Sequence, residues 1–169
     1  MYRSGPQIYY MTDGGIWFAN PGTNQIVRSS TTGGLQALTP QGPNTIPTGL
    51  GMGPDGNLYW SETSSTSSTS YLSEYNLTTG LATTVYTSST KIGNTAGADG
   101  LLWYFTPLNM NQFNTATHAI HSYPLSASLS EGYLTQGPDT NLYFISGTSS
   151  VTQEWRVLGR FLAASACRR

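Results

Sequence analysis

The hydrophobic residues of this chain form short runs of strand length, separated by clusters of Gly, Ser, Thr, Asn and Pro. Short apolar runs bounded by turn residues are typical of β-strands. Side chains alternate between the two faces of a strand, yet the neighbouring residues Tyr59 and Trp60 are both large and aromatic. Such strands need cover on both faces. The pattern therefore predicts an all-β protein whose central strands are buried between two neighbouring layers.

One of these runs occurs in four copies, each with a lead aspartate, turn residues and an aromatic strand. A repeat period of roughly 40 to 45 residues with strand patterns is typical of β-propeller blades. We therefore predict an incomplete β-propeller of about three and a half to four blades, each a four-stranded antiparallel sheet. The lead residues are Asp13, Asp55, Asp99 and Asp139, and the repeats span about 6–47, 48–91, 92–131 and 132–150.

The lead aspartates are interpreted as turn formers in preference to metal ligands. In three copies glycine follows the aspartate, as in Asp55-Gly56. Asp-Gly is typical of a two-residue hairpin turn, because glycine tolerates the positive φ that this turn requires. Thr140 takes the place of this glycine in the last copy. We expect the fourth repeat to be the least well specified, with only two strands.

The pattern changes after residue 150, where the partial propeller of residues 1–150 is predicted to end. Val151, Trp155, Leu158 and Leu162 recur at spacings of three and four residues, which is a helical period. Isolated helices of this length are only marginally stable in water. Two interpretations of residues 151–169 stay open, a short amphipathic helix and a disordered tail.

The composition argues against several classes of binding partner. Charged residues make up 9% of the chain and its formal net charge is -1, so it carries no electrostatic footprint for nucleic acid. No apolar run is long enough to span a bilayer. Cys167 is the only cysteine, so neither an intrachain disulfide nor a thiolate zinc site is expected. The N-terminal residues lack the apolar core of a signal peptide, which leaves a cytoplasmic protein or one secreted after loss of a leader.

The repeats resemble those of the streptogramin B lyase (virginiamycin B lyase) family, which is similar to NHL-type and gluconolactonase-like propellers. The resemblance covers about residues 6–147. It is carried by PTGLGMGPDGNLYWSE, by NQIVRSSTTGGLQAL and by HAIHSYPL, against family blades that read approximately PHGI-xx-GPDGNLWFTE, NKIGRITPDG and ITEYPLP. The resemblance implies a seven-bladed propeller with its site at one end of the central channel, where a small-molecule or peptide ligand is expected. About half of such a propeller is present in these residues.

The resemblance also implies a chemistry, the linearisation of a cyclic depsipeptide by elimination. The family uses a histidine base, the one in PHGI, and a magnesium ion held in part by glutamates. Glu62 matches the glutamate that ends WFTE, and it is the single candidate metal ligand. Thr48 stands at the histidine position and Ile46 at that of a second glutamate, so no catalytic residue is assigned. The other copies hold Pro6, Ile92 and Gly132 at the histidine position and Asn20, Thr106 and Ser146 at the glutamate position.

The two histidines are predicted to lie in one strand. His118 and His121 are three residues apart, and an odd separation directs them to opposite faces, so they cannot share a metal ion.

Two functional hypotheses follow. The first is a non-catalytic propeller segment with a binding or structural role, because the scaffold motifs are intact while the base is missing. The second is a fragment of a magnesium-dependent carbon-oxygen lyase, or of a related lactone-acting enzyme. Under either hypothesis, open blade edges favour association with further copies of the chain.

Overall fold

A computed structural model describes residues 8–10, 14–20, 22–93, 95–98, 101–125, 132–136, 142–146 and 156–161. Within these ranges the secondary structure consists of strands, and no helix has the length and hydrophobicity needed to cross a bilayer. The strands are β1 Ile8–Tyr10, β2 Gly15–Asn20, β3 Gln25–Ser30, β4 Leu35–Leu38, β5 Thr45–Met52, β6 Leu58–Ser64, β7 Ser70–Asn76, β8 Leu81–Ser88, β9 Thr95–Ala98, β10 Leu101–Thr106, β11 Asn109–Phe113, β12 Ile120–Pro124, β13 Gly132–Gln136, β14 Leu142–Ser146 and β15 Arg156–Phe161.

The strands form four antiparallel sheets that follow chain order. The first sheet is β1-β2-β3-β4, the second β5-β6-β7-β8, the third β9-β10-β11-β12 and the fourth β13-β14-β15. The first strands of successive sheets lie side by side, since β5 contacts both β1 and β9, and β9 contacts β13. This is the arrangement of successive propeller blades around a common axis. The predicted all-β class and partial propeller are confirmed.

The C-terminal prediction is wrong where the structure describes it. Residues 156–161 form β15, which pairs antiparallel with β14, so they are neither helical nor disordered. The fourth sheet accordingly has three described strands instead of the two predicted. The edge of β14 offers unpaired backbone donors and acceptors, and residues 156–161 pair with them in place of a marginally stable helix. The rest of the predicted tail, 151–155 and 162–169, lies outside the described residues.

The cores of the protein lie between the sheets. We call the face of a sheet toward the preceding sheet its leading face, and the face toward the following sheet its trailing face. Trp60 packs with Trp17 of the first sheet, whereas its neighbour Tyr59 packs with Leu102 and Tyr104 of the third. Because side chains alternate between the two faces of β6, this strand contributes residues to two separate cores. This confirms the predicted cover on both faces for β6.

The turn before β6 differs from the two-residue turn predicted from Asp-Gly. The backbone N–H of Gly53 donates to the carbonyl oxygen of Asn57 (2.9 Å), which encloses a three-residue loop, 54–56. Gly56 lies in the left-handed region at φ 79° and its N–H donates to the carbonyl oxygen of Gly53. Asp55 accepts the N–H of Asn57 on Oδ1 (3.1 Å), so it forms the turn as predicted. A turn followed by a left-handed glycine is the common three-residue solution for a hairpin.

Substitution of Gly56 by alanine is expected to lower the free energy of unfolding by about 1–2 kcal/mol. A Cβ on Gly56 would meet no atom within 4 Å, so the cost arises from the left-handed backbone and not from a clash. Urea unfolding measures it. Gly56→Asn is the matched control, because asparagine adopts this conformation more readily and should lose less. Equal losses for the two variants would contradict this explanation.

Candidate functional site

Glu62, the one candidate metal ligand, lies near the end of β6 with 0% of its surface exposed. Its Oε1 accepts the backbone N–H of Gln41 (2.9 Å) and the indole Nε1–H of Trp60 (2.5 Å). Its Oε2 accepts the backbone N–H of Gly42 (2.8 Å) and the hydroxyl of Thr45 (2.7 Å). A carboxylate has about four lone-pair sites. The protein itself therefore occupies the whole hydrogen-bonding capacity of Glu62.

Three of these four donors come from the connection between the first and second sheets, and the fourth, Trp60, lies in β6. Gln41 and Gly42 lie in the loop from β4 to β5, and Thr45 is the first residue of β5. The loop approaches closely, since a Cβ on Gly42 would lie 2.5 Å from the Tyr71 ring. Hydrogen bonds to a buried carboxylate are charge-assisted and stronger than neutral ones. Glu62 thus connects the inter-sheet loop to β6, an inner strand of the second sheet.

The surroundings of Glu62 do not fit a magnesium ion. Magnesium takes carboxylate oxygens together with water molecules in an octahedral shell. Both oxygens of Glu62 already accept hydrogen bonds from the protein. The backbone N–H groups beside them are donors and cannot coordinate a metal ion. Among the described residues, no three His, Cys, Asp or Glu side chains lie together. A metal role of Glu62 stays a sequence-based prediction.

Thr48, at the position of the family's base, is the extra residue of a β-bulge. The β5–β6 register shifts between Pro47 and Gly49, which leaves Thr48 without a paired partner on β6. Its hydroxyl lies 3.1 Å from that of Ser61. Bulges often occur next to functional sites, where they redirect a side chain. A threonine hydroxyl is too weakly basic to take up a proton near neutral pH, so Thr48 cannot replace the base.

The other positions carried over from the resemblance bring no acid or base to Glu62. Ile46 lies in β5 opposite Thr63. Ile92 is buried in the core between the second and third sheets. Pro6 lies outside the described residues.

A polar cluster that the sequence did not predict lies at the opposite end of β6. The Tyr59 hydroxyl donates to Asp55 Oδ2 (2.7 Å), and Asn57 Nδ2 donates to Glu74 Oε1 (2.7 Å). The pKa of Tyr59 is raised far above its ordinary value, mainly by burial and then by the neighbouring carboxylate of Asp55. The pKa of Glu74 is also raised, mainly by burial and then by the negative charge of Asp55. Asp55 and Tyr59 are close in sequence, but Glu74 joins them only through the β6–β7 register, which the sequence does not specify.

The histidines lie apart from Glu62. The prediction of one shared strand is wrong for His118, which lies in the turn after β11 at φ 58°, whereas His121 lies in β12. His118 stacks on Phe113 at 5.5 Å, and its charge lowers the pKa of Glu74 in opposition to burial and Asp55. His121 contacts the Tyr123 ring edge to face. Both rings thus make structural contacts on the third sheet.

Substitution of Glu74 by glutamine is expected to raise stability slightly near neutral pH, by less than about 1 kcal/mol because the group is partly solvated. Its folded pKa is raised above the ordinary value, so the folded state holds the proton more tightly than the unfolded state. Stability in the wild type should therefore fall as pH rises through the interval just above 4.5. Thermal unfolding across this interval measures the slope, which Glu74→Gln should reduce. Asn57→Ala is the comparison, because it removes the donor and should steepen the slope.

No protein-family model and no curated protein sequence matches the chain significantly. Solved structures do. A streptogramin B lyase superimposes with a TM-score of 0.67 at 21% identity over 85% of this chain and 49% of its own. Virginiamycin B lyase from Staphylococcus aureus gives 0.68 at 19% identity, over 91% and 54%. A gluconolactonase from Xanthomonas campestris gives 0.60 at 20% identity, over 84% and 54%.

These similarities concern the fold, since all three identities are low. They agree with the antiparallel four-stranded sheets and their side-by-side first strands. The chain spans about half the length of each of these three propellers. In architecture it is therefore a partial β-propeller similar to streptogramin B lyase and gluconolactonase.

Proposed function

We propose that the chain is a non-catalytic β-propeller module with a binding or structural role. The observation that carries the proposal is the state of Glu62, whose two carboxylate oxygens accept four hydrogen bonds from the protein. A glutamate engaged in this way stabilises the blade and has no free oxygen to offer a cation or substrate. Thr48, at the place of the base, cannot take a proton near neutral pH.

The ligand site in this proposal is the propeller channel end beside Thr48. The Thr48 hydroxyl can donate or accept a hydrogen bond, and it lies 3.1 Å from the hydroxyl of the fully buried Ser61. Thr48 is half-buried and lies in a bulge of β5, the first strand of its sheet. Such a surface fits an uncharged small molecule or peptide. The proposal also includes association of the chain with further copies of itself.

The experiment is incubation of the purified chain with a streptogramin B-type cyclic depsipeptide and magnesium. Elimination opens the ring without adding water, so the mass is unchanged and chromatography must separate ring from linear product. We expect the ring to stay intact, with or without saturable binding. Magnesium-dependent opening that Glu62→Gln abolishes and Glu74→Gln retains would overturn the proposal. Glu74→Gln is matched because it makes the same change at a glutamate far from Thr48.

The second candidate is a fragment of a lyase of the streptogramin B type, or of a lactone-acting relative. It is favoured by the GPDGNLYWSE motif together with the fold similarity over half of a lyase chain. It requires the catalytic blades to be encoded next to these residues. Further GPDGNLWFTE copies in the adjoining coding sequence, one preceded by histidine at fourteen residues, would support it. Stop codons on both sides without such copies would remove its support.

A further inference from the structure

The turn between β7 and β8 contains Asn76-Leu77-Thr78, the only Asn-x-Ser/Thr sequence of the chain in which x is not proline. This is the acceptor sequence for an N-linked glycan, and such acceptors lie in surface loops. Leu77 is half-buried and packs against the core between the first and second sheets, whereas Thr78 and Thr79 are exposed. The turn thus presents the acceptor sequence at the protein surface.

The side chain of Asn76 folds back on its own turn. Its Oδ1 accepts the backbone N–H of Thr78 (3.0 Å) and that of Thr79 (2.9 Å), which is an Asx turn. The backbone carbonyl oxygen of Asn76 accepts the N–H of Gly80 (2.8 Å), a glycine in the left-handed region at φ 72°. Within the described part of the chain, Asn76 Nδ2 makes no hydrogen bond. The turn therefore holds the oxygen of the side-chain amide and leaves its nitrogen available.

We propose that Asn76 is the attachment site of an N-linked glycan. The co-reactant is an oligosaccharide joined to a lipid diphosphate, and a transferase brings the two together. Asn76 Nδ2 bonds to C1 of the first sugar while the bond from C1 to the diphosphate oxygen breaks. The diphosphate leaves with the bonding electrons, and one amide proton passes to a base of the transferase. The product keeps Oδ1 as an acceptor, so both hydrogen bonds of the Asx turn survive attachment.

Two other asparagines show what distinguishes Asn76. Asn57 Nδ2 donates to Glu74 Oε1 (2.7 Å), so a glycan there would break the polar cluster beside β6. Asn114 lies in the corresponding turn of the third sheet, and its Oδ1 accepts the N–H groups of Ala116 (3.0 Å) and Thr117 (2.9 Å). Asn114 thus has the same Asx turn but lacks a hydroxyl two positions later. The chain itself offers a matched site for the test.

The test is incubation of the purified, folded chain with a single-subunit oligosaccharyltransferase and a lipid-diphosphate-linked oligosaccharide. Trypsin cleaves after Arg28, Lys91 and Arg156, so mass spectrometry separates the peptide 29–91, which contains Asn76, from the peptide 92–156, which contains Asn114. We expect the wild type to gain a single glycan, on 29–91.

Three variants at exposed positions test the role of the turn and of the hydroxyl. Thr78→Val should lose the glycan, because it removes the hydroxyl of the acceptor sequence and keeps the backbone N–H that Asn76 accepts. Thr79→Val is the matched control, because it makes the same change one residue later, and it should keep the glycan. Ala116→Thr completes an acceptor sequence at Asn114 and should add a second glycan, on 92–156.

A synthetic peptide of residues 71–83 serves as the unfolded reference. An unmodified folded chain would overturn the inference, and the peptide would then show whether the fold or the sequence prevents attachment. A glycan that Thr78→Val retains would also overturn it, as would failure of Ala116→Thr to gain one. The inference does not depend on the proposed ligand site at Thr48. A chain that gains the glycan and opens the depsipeptide ring would overturn only the non-catalytic function, whereas an unmodified chain that leaves the ring intact would overturn only this inference.

Discussion

Substitution of Glu62 by alanine is expected to lower the free energy of unfolding by about 3–5 kcal/mol. The loss arises because the donors of Thr45 and Trp60 stay buried, and those of Gln41 and Gly42 partly buried, after their shared acceptor is gone. A buried donor without an acceptor costs most of its desolvation free energy. Urea unfolding followed by tryptophan fluorescence measures the change, since Trp60 is itself one of the donors.

Two control variants separate the network from the loss of volume. Glu62→Gln keeps the shape but replaces one acceptor oxygen with an NH₂ group, which cannot accept the fixed backbone N–H groups; we expect an intermediate loss of about 1–3 kcal/mol. Glu74→Ala removes a half-buried glutamate with one side-chain hydrogen bond, from Asn57, and should cost less than about 1 kcal/mol. If Glu62→Ala were as mild as Glu74→Ala, the carboxylate would not be a structural anchor.

The sequence predicted the scaffold well because the repeat is local. Each repeat contains a turn and an aromatic strand at a fixed spacing within a few residues. Asp55 and Gly56 could therefore be assigned to a turn from the sequence alone. The burial of Tyr59 and Trp60 on opposite faces followed from the period of two. Even the error in turn length was small, because both hairpin types place glycine in the left-handed region.

For the candidate site, the sequence predicted the residue, Glu62, but not its hydrogen-bond partners. Sequence marks Glu62 as a carboxylate in a motif, but its partners are backbone N–H groups of Gln41 and Gly42, which carry no sequence signal. Glu74 reaches Asn57 through strand register, which is set by tertiary pairing. The strand at residues 156–161 was missed for a similar reason, since a free edge of β14 outweighed a local helical period.

Substitution of Trp103 by alanine is expected to cost about 3–5 kcal/mol of unfolding free energy and to weaken chiefly the fourth sheet. Trp103 is fully buried, stacks on Tyr123 at 5.7 Å and packs with Leu134 and Leu142. Blades, like solenoid repeats, contact mainly their neighbours, so a cavity between two sheets acts locally before it acts globally.

Hydrogen exchange distinguishes this local effect from a general loss of stability. Amide protection in 132–136 and 142–146 should fall more than protection in 15–20, which lies two interfaces away. Leu108→Ala, a truncation on the same third sheet at an exposed turn residue, should leave both regions unchanged within about 0.5 kcal/mol. Equal loss in the first and fourth sheets would mean that the four sheets unfold as one cooperative unit. Loss confined to the fourth sheet would mean that this sheet is held mainly by the aromatic residue that the third sheet presents to it.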